Sequence, residues 1–202
     1  MLEIIQNIKS GMINTSVIEW IGVLSGIIYV ILISFKKITA WLFALLSSAI
    51  YVYLCYISNL FLETGLQFFY VAMAIYGWLK WKKDQNKNDG LLIQWKLKHH
   101  VINVVFSGIL TLSIGFIFDK YTTQANPYTD SFSTIFSLVA TFMVTKKVLE
   151  NWIYWTIIDL VCIYLFASRG LYLTSLLFLL YTSIAIIGYF QWRKIYNLQS
   201  SL

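Results

Sequence analysis

Asp159 is an acid near the middle of an otherwise apolar run, 150–168. A carboxylate at the centre of a membrane helix costs about 2.5 to 3.5 kcal/mol on insertion scales, so one retained there points to function. Helical spacing sets Asn151, Trp155 and Asp159 at i, i+4 and i+8 on one face, with Trp152 beside it. An amide, two aromatic faces and an anion suit a flat, cationic ring, held by stacking and cation–π attraction. A second stripe of similar character runs through Glu63, Gln67, Tyr70, Ala74 and Gly77. The candidate binding residues are therefore Gln67, Tyr70, Asn151, Trp152, Trp155 and Asp159.

Plainer roles compete for each. Trp152 and Asn151 lie near one end of their helix, where aromatic belts gather. A protonated Asp159, or one bonded to a neighbouring helix, needs no ligand. Glu63 lies near a boundary, where a carboxylate is ordinarily solvated, and Tyr70 with Tyr181 has packing between repeats as its alternative. His99 and His100 are adjacent and cannot both face one metal from a regular helix. No metal and no cofactor are expected. The sequence has no phosphate-cradling glycine loop, Ser elbow or HExxH, and Asp159 lacks a second acid or His at its depth for proton transfer. The chain reads as a non-enzyme.

The elements that must carry these residues are membrane helices. Of 202 residues 59% are hydrophobic and only 12% charged, with mean hydropathy +0.71. Soluble domains carry about twice that charge. Cys55 and Cys162 are too few for a disulfide scaffold and both sit in apolar runs. The net charge of +6 does not indicate nucleic acid, because the bases fall between hydrophobic stretches rather than on a soluble face. Crossing about 30 Å of hydrocarbon takes roughly 20 helical residues. Seven stretches approach that length, near 17–35, 38–57, 63–81, 99–118, 131–146, 150–168 and 171–192. An outside N-terminus then places twelve of the fifteen lysines and arginines in the cytoplasm; only Lys9, Lys120 and Arg169 fall outside. Residues 1–16 form an N-terminal surface segment, either an amphipathic helix on the bilayer or a frayed end.

The chain also repeats itself. Shifting 33–83 by 111 positions onto 144–194 gives thirteen identities without a gap. They include Lys36/Lys147, Trp41/Trp152, Tyr70/Tyr181, Gly77/Gly188, Trp81/Trp192 and Lys83/Lys194. Gly22 and Gly26 extend the pattern onto Ser133 and Ser137, small residues at which helices approach closely in lipid. The expected fold is an all-α membrane protein of seven transmembrane helices in a 3+1+3 arrangement of parallel repeats. Its parts are a first bundle over 17–81, a cytoplasmic loop over 82–98, a linker helix over 99–118, a second bundle over 131–194 and a cytoplasmic tail over 195–202. Such repeats are a transporter design with the substrate near the midplane.

The run Glu150-Asn151-Trp152-Ile153-Tyr154-Trp155, then Asp159 and Arg169-Gly170-Leu171-Tyr172, resembles the signature of PnuC-type vitamin transporters. So does Gln67 followed by Tyr76-Gly77-Trp78-Leu79-Lys80-Trp81, and the likeness runs from Trp20 to Lys194. The resemblance implies a multi-pass protein of the bacterial inner membrane with a full-length SWEET-like architecture. It implies uptake of nicotinamide riboside by facilitated diffusion, a cytoplasmic kinase that traps the vitamin, and a homotrimer. It also carries Gln67, Asn151, Trp152, Trp155 and the Asp159 position onto the substrate path. Where some nicotinamide riboside members have Asn, this chain has Asp159. Thiamine, or another vitamin on the same scaffold, is the alternative substrate, since thiamine also carries a ring cation. A non-transporting membrane scaffold or sensor is the distant one. Pro127 is expected in an outer loop, and with no proline inside a span any hinge must come from glycines or rigid-body rocking.

Overall fold

A computed structural model describes residues 2–58, 61–86, 90–123 and 126–201. Met1, Lys87 and Leu202, which the sequence reading places in the terminal segments and the 82–98 loop, lie outside them. The described residues form eight helices: α1 Leu2–Asn14, α2 Val17–Ser34, α3 Ala40–Ile57, α4 Phe61–Asn86, α5 Leu97–Tyr121, α6 Pro127–Thr145, α7 Asn151–Ser168 and α8 Tyr172–Gln199. Five of them, α2, α3, α5, α7 and α8, are long and apolar enough to cross a membrane. The other two long helices, α4 and α6, are more polar, as helices that turn inward towards one another can be.

Several boundaries differ from the sequence expectation. Polar residues past Trp81 mark the end of the apolar stretch but not of the helix, which continues to Asn86 with an i,i+4 Lys80–Asp84 pair at 3.8 Å. The tail likewise continues α8 to Gln199. Pro127 does not lie in a loop: it opens α6, where the missing N–H costs nothing and its fixed φ suits the first turn. Residues 2–14 are a helix whose Gly11 lies against Leu173 at the start of α8.

Helix contacts close a ring in the order α2, α3, α4, α6, α7, α8 and back to α2, while α5 packs on α6 from outside. Two features at the offset of 111 hold this ring at one end. First, α2 and α6 stop in the same turn. Lys36 N–H donates to the Ile33 carbonyl and Lys37 N–H to that of Leu32, both 2.9 Å. Lys147 N–H donates to Val144 at 2.9 Å and Val148 N–H to Met143 at 3.0 Å. These are the paired bonds of a Schellman motif, and lysine, not glycine, takes the left-handed position, with φ of 59° at Lys36 and 57° at Lys147. Second, four tryptophans form a buried layer. Trp41 meets Trp81 edge-on at 5.6 Å, Trp152 meets Trp192 edge-on at 5.5 Å, and Trp81 and Trp192 meet across the ring at 6.3 Å. Gly77 and Gly188 make room for the indoles. A Cβ at Gly77 would come within 2.5 Å of Trp41, and one at Gly188 within 2.8 Å of Trp152.

The two halves are tied by exchange. Trp81 on α4 donates its indole N–H to the Thr145 carbonyl of α6 at 3.2 Å. Trp192 on α8 donates to the Ile33 carbonyl of α2 at 3.1 Å. One level further from the lysines, Tyr70 on α4 faces Ser137 on α6, while the Tyr181 hydroxyl on α8 stands 2.9 Å from where a Cβ of Gly26 on α2 would be. In each half the last helix thus finishes against the first helix of the other.

Candidate functional site

Above the tryptophan layer, polar side chains line the seam between the halves. Asp159 is 3% exposed on α7. The ion pairs among the described residues join Lys80, Lys147 and Arg169 to Asp84 and Asp130, His100 stands 3.9 Å from Glu150, and Asp159 is in none of these contacts. Its neighbours in electrostatic reach are Cys162 on the next turn and Tyr181 on α8. Tyr70, from α4, stands in the field of the same Cys162, and Tyr29 from α2 stands near Tyr70. A chain of neighbours thus runs from the acid through Cys162 to Tyr70 and Tyr29, with Tyr181 on the acid's other side.

Asn151 begins α7 and is fully buried. Its amide nitrogen donates to the Val148 carbonyl at 2.6 Å, but its Oδ1 has no partner among the described residues. A buried acceptor left open costs about 1–3 kcal/mol, which a ligand donor would recover. Trp155 is half-buried and packs against both apolar clusters, the tryptophan layer and the Phe136–Ile158 group. Trp152 is 1% exposed and belongs to the layer itself, and among the described residues its indole N–H, like that of Trp41, meets no acceptor. Gln67 is half-buried on α4, one turn from Tyr70 on the side away from the lysines. At 1.5 Å per residue, Asp159 lies about 10 Å and Gln67 about 20 Å beyond the tryptophans of their own helices. The structure therefore gathers Tyr70 and Asp159 around Cys162 and places Asn151 and Trp152 deeper towards the lysines. Gln67 lies towards the opposite end.

A groove of about 460 Å³ lies elsewhere, between α5 and α7, lined by His100, Phe132, Phe136, Glu150 and Tyr154 among others. At its polar end the His100 ring nitrogen and the Tyr154 hydroxyl are 3.1 Å apart, and Asn103 donates to that hydroxyl at 3.4 Å. A smaller one of about 220 Å³ runs over Trp152, Thr156 and Tyr189 between α7 and α8.

Residues 16–194 match the family model described as nicotinamide mononucleotide transporter. The chain belongs to this transporter family. It is accordingly a multi-pass membrane transporter and not an enzyme. The nicotinamide riboside transporter PnuC of Escherichia coli is 29% identical to it over 211 residues, covering 92% of this chain and 88% of the relative. RibM of Streptomyces davaonensis, a riboflavin/roseoflavin transporter, is 22% identical over 180 residues, covering 86% and 83%. The crystal structure of the vitamin B3 transporter PnuC superposes with a TM-score of 0.73 at 20% identity, covering 97% of this chain and 89% of that one. That likeness shows a shared fold.

Within this family member, the sequence reading missed Tyr29, Ser137 and Cys162 as companions of the candidate site. An apolar run gives no cue that one tyrosine or serine faces a seam. The repeat offset does offer one, because Ser137 stands at the position of Gly26, and both meet the tyrosine of the opposite half.

Proposed function

We propose that the chain carries a vitamin precursor, nicotinamide riboside first, across the bacterial inner membrane by facilitated diffusion. The observation that supports this most is the one-sided stripe of α7, which points an unpaired acid and an open amide acceptor into the seam between two like halves. Asp159 balances the ring cation, Trp155 and Trp152 offer aromatic faces, and Asn151, Tyr70 and Gln67 hydrogen-bond the polar groups at successive depths. The names of the Escherichia coli relative and of the solved PnuC agree with this substrate. Thiamine, also a flat cation, is the second reading that Asp159 favours, ahead of an uncharged ring such as riboflavin.

The finer architecture belongs to the same proposal: seven crossings by α2–α8 as two parallel bundles over 17–81 and 131–194, joined by the linker helix α5. The N-terminus is outside and the C-terminus cytoplasmic. Ile33, Trp81, Thr145 and Trp192 meet in one layer, which supports like-facing bundles, and the lysines beside that layer favour the cytoplasmic side for it. Assembly as a homotrimer and trapping by a cytoplasmic kinase complete the scheme. Thermal unfolding of the purified protein with nicotinamide riboside, thiamine and riboflavin tests the substrate, since a ligand of the folded state raises its apparent stability. Stabilisation by none of them, with no counterflow of nicotinamide riboside in proteoliposomes, would overturn the reading.

A further inference from the structure

The segment 90–95 lies across the lysine end of the ring and is bound to both halves. Lys36, at the end of α2, donates its ammonium to the Gly90 carbonyl at 2.6 Å. Ile93 N–H donates to the Lys147 carbonyl at 3.1 Å and its carbonyl accepts from Leu149 N–H at 2.9 Å, a short bridge onto the turn between α6 and α7. Gln199, in the last turn of α8, grips Leu92 from both sides. Its Oε1 accepts from the Leu92 N–H at 3.1 Å and its Nε2 donates to the Leu92 carbonyl at 3.4 Å. Glu150 accepts from Trp95 N–H at 3.3 Å.

Leu92 itself is 3% exposed and packs into the cluster of Trp41, Trp81, Trp152 and Trp192. An apolar side chain inserted into that layer closes the seam against water, and the bonds around it, from the Lys36 and Gln199 side chains and the Lys147 and Leu149 backbone, tie the ends of α2 and α8 to the turn after α6. Together with the Trp81–Thr145 and Trp192–Ile33 bonds they hold the halves together at this end. We infer that the segment 90–95 is the cytoplasmic gate of the transport path, with Leu92 as its plug and Gln199 as its latch. The inference rests on the transport reading above, in which a midplane site opens alternately to each side. Release of Leu92 from Gln199 is the step that admits inward opening.

Two experiments test it. In the first, Leu92→Cys and Gln199→Cys are combined and bridged by a charged, short bis-methanethiosulfonate, with each single variant as control. Bridging should cut exchange of nicotinamide riboside in proteoliposomes at least tenfold, with recovery on reduction, while the vitamin still raises the unfolding temperature. Exchange of the bridged protein at the unbridged rate would overturn the gate. In the second, Ser48→Cys, buried above the tryptophans, reports cytoplasmic access to a membrane-impermeant maleimide in inside-out vesicles. Adding Ile93→Pro deletes the N–H bond to Lys147 and should speed labelling roughly threefold to tenfold, the factor one lost hydrogen bond supplies. An unchanged rate in a variant that stays monodisperse counts against the gate. This second readout needs no vitamin, so a chain that fails to move nicotinamide riboside refutes the substrate and leaves the gate to be judged by labelling.

Discussion

The two halves of the molecule share their carpentry and differ in their chemistry. Trp41/Trp152, Gly77/Gly188, Trp81/Trp192 and Lys36/Lys147 coincide in the repeat, and each pair does the same structural work in both copies. The residues proposed for the substrate mostly do not coincide. Asn151, Trp155 and Asp159 correspond to Ala40, Ala44 and Ser48, and Gln67 corresponds to Phe178. On the proposed reading, the repeated scaffold carries its substrate chemistry mainly on one face of α7, with Gln67 added from α4. Trp152 and Tyr70 are the exceptions, since both have identical counterparts in the other copy.

The largest way to break this comparison is to fill the glycine sockets. Gly77→Ala and Gly188→Ala each press a Cβ onto an indole, and overpacking of this kind costs about 1–3 kcal/mol. Both variants should unfold at lower temperature and by similar amounts; a large loss in one half only would mean that the layer is not shared equally.

Next comes the asymmetry itself. Asp159→Leu should abolish vitamin-dependent stabilisation, while Ser48→Ala at the matching position should leave uptake within about twofold. Moving the acid, as Ser48→Asp with Asp159→Ser, should not restore uptake, because Ala40 and Ala44 supply neither amide nor ring. Counterflow of the exchanged variant at the wild-type rate would show that position within the repeat is irrelevant. Asn151→Ala removes the open acceptor and should weaken binding by roughly tenfold, the effect of one buried hydrogen bond.

A smaller effect tests the crossed ties. Trp81→Phe and Trp192→Phe each delete one N–H bond to a backbone carbonyl and should each cost about 1 kcal/mol in unfolding. Unequal losses would locate the firmer of the two seams.

The smallest effect concerns the lysines. Lys147 pairs with Asp84 at 2.7 Å, whereas Lys36 donates to the Gly90 carbonyl and is in no ion pair among the described residues. Burial first, and then the nearby Lys147 charge, hold the Lys36 ammonium below its ordinary value of 10.5. The folded state therefore binds fewer protons than the unfolded one over the alkaline window below 10.5, and stability rises slightly with pH there. Lys36→Met should flatten that part of the unfolding-temperature profile; an unaltered slope would assign it to another group.

How far the sequence disclosed all this depends on what each feature writes into it. Tryptophans and glycines are rare enough that their coincidence at one offset marks the shared layer. Asp159 is visible because acids are costly in lipid. The carbonyls of Ile33 and Thr145 are not visible, since any residue supplies a backbone acceptor. Leu92 looks like any other leucine, and only its place between Gln199 and the tryptophans gives it a role. The extension of α4 to Asn86 was hidden because polarity reports where lipid ends, not where a helix does.

The reciprocity of the ties has an ancestral consequence. A contact in which one partner's knob meets the other's socket, and the reverse, is the mark of a self-complementary interface. A shorter gene encoding only a unit like α2–α4 would already hold both the indole donor and the carbonyl that receives it. Two such products, meeting side by side, would close the same ring without α5, and fusion of the genes would only have freed one copy to diverge.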